Sequence, residues 1–282
     1  MQADDGTAPP RLVALARSAH PGPAVAVTII TIGLGFGAGL HIERLVLLAL
    51  AMLAGQLSVG FSNDWIDAER DRAVGRADKP VARGWIGAGA VRNAAWISAG
   101  AMIVFAIPLG WGCLVALVWA TGLAWAYNAG LKKLALSIVP YILSFASLPA
   151  IATLARPTPA APALWALGVG GLLGAAAHFA NTLPDLDDDA ETGVRGLPHR
   201  LGRRWSSGLT YAVLLAASVS EFIGTGGFGF IPADVGLIVS IVIAAAGIRI
   251  INRPTRWHFR FIIIGAFVDV VVLILAGSRI LA

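Results

Sequence analysis

The carboxylates of this chain are gathered in two places. Of 16 acidic residues, Asp64, Asp67, Glu69, Asp71 and Asp78 fall in one polar segment, and Asp185, Asp187, Asp188, Asp189 and Glu191 in another. In Asn63-Asp64-Trp65-Ile66-Asp67-Ala68-Glu69-Arg70-Asp71 the aspartates recur at i, i+3 and i+7. On a helix turning about 100° per residue they share an arc of roughly 60°, and Glu69 points away. Asp185, Asp188 and Asp189 share an arc of about 100°, which Asn181 joins if Pro184 only kinks the helix. Carboxylates on one face repel unless a cation sits among them. Hard oxygen donors suit Mg²⁺, which binds through a few carboxylates plus substrate phosphates. Two such faces opposed could hold a metal-bridged diphosphate.

The two segments also resemble copies of each other. Gly75, Pro80 and Gly84 follow Asp71 at the same offsets at which Gly193, Pro198 and Gly202 follow Asp189. This predicts an internal duplication with paired sites and the substrate between the repeats. Arg76, Lys79 and Arg83 in one copy, and Arg195, Arg200 and Arg203 in the other, supply cations for diphosphate oxygens. A third element, Tyr127-Asn128-Ala129-Gly130-Leu131-Lys132-Lys133, closes an apolar run.

The elements that must position these residues are membrane spans. Of 282 residues 57% are hydrophobic and 13% charged, and mean hydropathy is +0.77. That excludes a soluble surface and intrinsic disorder. The lone Cys113 excludes a disulfide scaffold and reads as a packing residue. A net charge of +5 would suggest nucleic acid in a soluble protein, but none is expected here. A hydrocarbon layer needs about 20 apolar residues per helix. Such runs lie near 23–40, 44–62, 90–108, 111–130, 134–154, 163–183, 207–224, 232–251 and 258–281. They lack the alternation of a β-barrel, so the expected fold is an all-α integral membrane bundle of about nine helices. Residues 1–22 read as a short cytoplasmic arm and 23–282 as a single transmembrane domain. With the N-terminus inside, 18 of the 21 basic residues fall in inner loops and only Arg44, Arg156 and Arg279 outside. This asymmetry puts both acidic segments on the cytoplasmic face of a cell membrane.

Together these residues resemble the UbiA-type family of intramembrane aromatic prenyltransferases. Asn63-Asp64-x-x-Asp67-x-x-x-Asp71 with Lys79-Pro80 and Gly84, the Tyr127 to Lys132 stretch, and Asp185-x-x-x-Asp189 with Gly193 carry the resemblance; Arg17-x-x-His20-Pro21 adds to it. The resemblance implies a helical bundle with a lipid-facing pocket in which Mg²⁺ grips an isoprenyl diphosphate and a small, aromatic acceptor is alkylated. It assigns a first metal to Asn63, Asp64, Asp67 and Asp71 and a second to Asp185 and Asp189, and the shared helix face adds Asp188 to the metal set. Of these, Asp64, Asp67, Asp185 and Asp189 are catalytic together with Lys132. Substrate binding falls to Asn63, Arg17, Lys79, Arg83, Tyr127, Asn181 and Arg195. The alternative on the same fold is a membrane terpene cyclase that releases diphosphate without an acceptor. A transporter would hold its charges near the midplane, not at one face.

Two polar residues lie in spans outside these motifs. Asp269, near the middle of the last run, is expected to bond to another helix, and His178 to be a satisfied core histidine.

Overall fold

The computed structural model describes residues 8–184, 186, 193–250 and 256–282. Among them the chain is helical, with a single isolated bridge between Pro162 and Leu281. The helices are α1 (Arg11–Ser18), α2 (Pro21–Gly37), α3 (Ile42–Ile66), α4 (Ala68–Ala73), α5 (Ala88–Ala106), α6 (Trp111–Ala129), α7 (Ile138–Leu154), α8 (Leu164–Thr182), α9 (Leu197–Gly224), α10 (Ile231–Ile250) and α11 (Arg256–Leu275). All nine apolar runs coincide with a long helix. Six described helices are long and apolar enough to cross a membrane, and α1 with α2, bent by 58°, makes a seventh. The apolar α7, at 17 residues, is shorter. Phe36, Trp111 and Leu164 stand 72%, 80% and 84% exposed, an outer surface that water would not tolerate. The protein is a multi-pass membrane protein.

The helices form a ring: α2 packs on α3, α3 on α6, α6 on α7, α7 on α8, α8 on α9, α9 on α10 and α10 on α11, which returns to α2 and α8. Helix α5 lies outside α3. The order repeats, since α2–α3–α5 is matched by α7–α8–α9 in both sequence and packing. Backbone conformation repeats too. Gly75 and Gly193 have φ of +67° and +77°, and Gly84 and Gly202 have +74° and +76°. The equal glycine offsets therefore record the same left-handed turns in both copies, where a Cβ would be strained. Gly202 also breaks α9 near its start.

The polar ends of the ring coincide. The C-termini of α3, α6 and α8 and the N-termini of α2 and α7 meet at one end. At the other end Arg44 donates to the carbonyls of Ala155 (2.6 Å) and Leu109 (2.9 Å), tying three helix ends together.

Candidate active site

Helix α3 runs as one apolar rod until Ile66, turns at Asp67 and restarts as α4 at Ala68. This break brings Asn63, Asp67 and Asp71, spaced by four, onto the wall of a cavity of about 430 Å³. Lys79, Tyr127, Lys132 and Asn181 line the same cavity, so seven of the residues expected from sequence converge there. Asp64 is 1% exposed and is not part of the lining. Arg17 and Arg83 lie beside Trp85, with their guanidinium carbons 6.0 and 4.7 Å from its ring centroid. Arg195 is exposed, and its carbonyl accepts from Arg200 at 3.3 Å. Asp185, Asp188 and Asp189 lie outside the described residues.

Each described carboxylate of the first motif has a cation against it. Lys132 Nζ is 2.6 Å from Asp67 Oδ1. Arg70 reaches both Asp67 (3.2 Å) and Asp71 (3.4 Å). Lys79 Nζ donates to Asp64 Oδ1 at 2.7 Å and to Asn63 Oδ1 at 3.1 Å. His20 Nε2 lies 2.8 Å from both Asp64 Oδ1 and Lys79 Nζ. Burial pushes the Asp71 carboxyl up, a shift that Lys79 opposes and Asp67 reinforces. Burial likewise pushes the Lys132 ammonium down, against the pull of Asp67. Proximity to Arg76 holds Asp78 down at about 2.

Among the described residues, no three acidic, histidine or cysteine side chains already converge as a metal cage. The donor set nevertheless fits a hard cation. The amide oxygen of Asn63 and the carboxylates of Asp67 and Asp71 face one cavity, and Asn181 of α8 faces it from the opposite repeat. Lysine and arginine balance the negative charge there, as a divalent ion would.

Several residues around the cavity are given no catalytic or binding role by the sequence. Asn128 donates to the carbonyl of Val59 (3.0 Å) and to Ser62 (2.8 Å), and accepts from Asn63 at 3.4 Å, tying α6 to α3 beneath the motif. His20 and Gln56 also face the cavity. Tyr141 accepts from Asn181 at 3.2 Å and meets Tyr127 edge to face at 5.0 Å. His178 is buried behind these rings, 3.1 Å from Ser137 Oγ through Nε2, but its Nδ1 has no partner among the described residues, so the expected core histidine is only half satisfied. Tyr127, Tyr141 and Asn181 also border a mainly apolar cavity of about 170 Å³ between α2, α3, α6 and α7. A third cavity, apolar and about 300 Å³, shares Phe145, Leu148 and Asn181 with it and extends between α2, α7, α8 and α11. The site thus has a charged head and two apolar arms.

A charged head at one end of a membrane bundle, opening into apolar arms, defines a membrane protein with an amphiphilic site. The profile of the UbiA prenyltransferase family matches residues 24–266. The chain belongs to that family and is a prenyltransferase. It is 26% identical over 230 residues to the digeranylgeranylglyceryl phosphate synthase of Pyrococcus horikoshii, covering 76% of this chain and 77% of that one. The same enzyme of Thermococcus gammatolerans is 26% identical over 213 residues, 70% of this chain and 73% of that one. A solved UbiA homologue of Archaeoglobus fulgidus, bound to GPP and Mg²⁺, superposes with a TM-score of 0.72 at 14% identity, covering 94% of this chain and 99% of that one.

Proposed function

We propose that this protein transfers an isoprenyl group from an isoprenyl diphosphate to an acceptor at the membrane, with Mg²⁺ bound between the two aspartate motifs. The observation that carries this reading is the convergence of Asn63, Asp67, Asp71, Lys79, Lys132, Tyr127 and Asn181 on one cavity that leads into apolar arms. Asn63, Asp67 and Asp71 would hold the ion from the first repeat, and Asp185, Asp188 and Asp189 from the second. When bound, the ion supplies Lewis-acid stabilisation of the departing diphosphate. Lys132 and Lys79 add charge-assisted hydrogen bonds where negative charge builds as the allylic C–O bond breaks. Apolar walls keep water from the allylic cation, and the faces of Tyr127 and Tyr141 attract it. Arg17, Arg83 and Arg195 belong to the outer, basic approach to this head.

The domain reading is a single unit, residues 23–282, entered by an arm over 1–22, with the head on the cytoplasmic face. The acceptor was expected to be small and aromatic. The second apolar arm favours one with a chain of its own, such as a glycerol phosphate ether, in keeping with the names of the relatives from Pyrococcus and Thermococcus.

The test is purified protein with Mg²⁺, isoprenyl diphosphates of several lengths and phenolic, quinoid and glycerol-phosphate acceptors, read by mass spectrometry. A prenylated acceptor is expected. A cyclic hydrocarbon released without an acceptor would turn the assignment to a cyclase, and no diphosphate release from any donor would end it.

A further inference from the structure

We propose that Asp64 is the buried anchor of a cationic wall, Lys79 and His20, that receives the substrate's diphosphate, and is not a ligand of the metal. The inference rests on the functional reading above for the identity of the diphosphate, but the anchor itself rests on geometry alone.

The four-residue spacing of Asn63, Asp67 and Asp71 faces the cavity, whereas Asp64 follows Asn63 by about 100° around α3 and is buried behind it. Its Oδ1 takes Lys79 at 2.7 Å and lies 2.8 Å from His20 Nε2, while its buried Oδ2 has no partner among the described residues. Both Lys79 and His20 do line the cavity. An ammonium on a flexible four-carbon stem is a poor phosphate ligand unless its position is fixed. Here Lys79 is 9% exposed and held by Asp64 and Asn63. A buried ammonium needs such a counter-charge, and Asp64 supplies it at 2.7 Å. The imidazole Nε2 has one role at a time, accepting a hydrogen bond from Lys79 or donating one to Asp64, and in either tautomer it braces the pair.

The backbone is built to deliver His20 there. With φ 50° and ψ 62° it is the one described non-glycine residue in the left-handed region. That conformation is strained for a residue with a Cβ and persists only where its surroundings fix it. The elbow between α1 and α2 lies against α3 at Gly60, where any Cβ would strike the Ala19 carbonyl.

The test uses the purified full-length protein and inorganic pyrophosphate as probe, with Asp64→Asn, His20→Asn and Asp67→Asn compared. Asparagine tolerates positive φ, so His20→Asn keeps the elbow if Asp64→Asn proves hard to fold. Lys79 labelling by an amine reagent should rise in Asp64→Asn, and pyrophosphate affinity at saturating Mg²⁺ should fall about tenfold in Asp64→Asn and a few-fold in His20→Asn, the scale of lost charge-assisted hydrogen bonds. The Mg²⁺ midpoint should move about tenfold or more only in Asp67→Asn. Unchanged Lys79 labelling overturns the anchor. A Mg²⁺ midpoint that moves as far in Asp64→Asn as in Asp67→Asn makes Asp64 a ligand and overturns the proposal. Raised labelling with unchanged pyrophosphate affinity overturns the diphosphate-binding role of the wall, whereas absence of pyrophosphate binding by the parent protein itself would count against the functional reading and not against the anchor.

Discussion

Lys132 Nζ sits 2.6 Å from Asp67 Oδ1, joining the turn after α6 to the break between α3 and α4. Both partners are buried, 6% exposed each, so this pair fixes the end of α6 against the first aspartate motif. Lys132→Gln removes a cation from the wall proposed to face the leaving diphosphate. Turnover should fall about 10²–10³-fold, as on loss of one preorganised donor. Stability should fall by less than the about 3–5 kcal/mol of an orphaned buried charge, because Arg70 still reaches Asp67 at 3.2 Å. Steady-state kinetics beside thermal unfolding separates the two effects, and an unchanged kcat would remove Lys132 from the reaction.

Much of this was legible in the sequence, for reasons of scale. Long apolar runs fix helices because lipid forbids unsatisfied backbone, so each expected run found a long helix. The repeat was legible because only glycine sits easily at its left-handed turns. Finer placement was not. Treating 63–71 as one continuous helix put Asp64, Asp67 and Asp71 on a common face, but the chain breaks at Asp67 and leaves Asp64 behind the cavity. Spacing also gave no hint that Arg17 and Arg83 lie against Trp85, a contact between segments far apart or folded back locally. The strain at His20 is a property of backbone angles that no residue type announces.

Gly60→Ala should disturb the elbow that presents His20. Its Cβ would meet the Ala19 carbonyl, a backbone atom that cannot swing aside. The expected cost is about 1–3 kcal/mol of overpacking. Gly100→Ala, on α5 with open space around its Cβ, is the control and should gain about 0.5–1 kcal/mol of helix propensity. Equal unfolding temperatures for the two variants would contradict the close approach.

Asp78 gives a pH signature outside the membrane spans. Arg76 grips both its oxygens at 2.9 Å and holds the carboxyl at about 2, below its ordinary 3.8. A depressed folded value means the stabilisation is complete above 3.8 and is lost as pH falls through about 2. The side chain is 61% exposed, so the effect should stay below about 1 kcal/mol and shrink in salt. Hydrogen exchange in the loop after α4 should be faster in Asp78→Asn than in the parent at about pH 5 and equal near pH 2. A difference that survives at the acid end would point to another role for Asp78.

Asp269 bonds Ser218 from α11 to α9, and Ser218 in turn bonds Ser240 of α10 at 2.6 Å. This is the interhelical bond expected of a buried carboxyl, and it lies outside the cavities that border the charged head. Asp269→Asn keeps the hydrogen bonding and should leave turnover within about twofold. Asp269→Leu strands two serines and should cost about 1–3 kcal/mol in unfolding. A kcat loss in Asp269→Asn without loss of stability would place the residue in catalysis instead.

On the proposed reading the two arms would take the two substrates' chains. The smaller arm borders Tyr127 and Asn128, beside the first aspartate motif, so the donor's chain belongs there; the larger one, reached past Asn181, is left for the acceptor. Ala124 lines the first and Ala177 the second. Burial is worth about 0.8 kcal/mol per methylene, so displacing even two methylenes should cost more than tenfold in kcat/KM. Ala124→Phe should therefore discriminate against long donors and spare dimethylallyl diphosphate. Ala177→Phe should leave donor length preference alone and raise KM for a chain-bearing acceptor, with no effect on a small phenolic one. Should Ala177→Phe shorten the preferred donor instead, the arms are exchanged; should neither substitution alter any chain-length profile, the cavities are packing voids and the acceptor returns to being small.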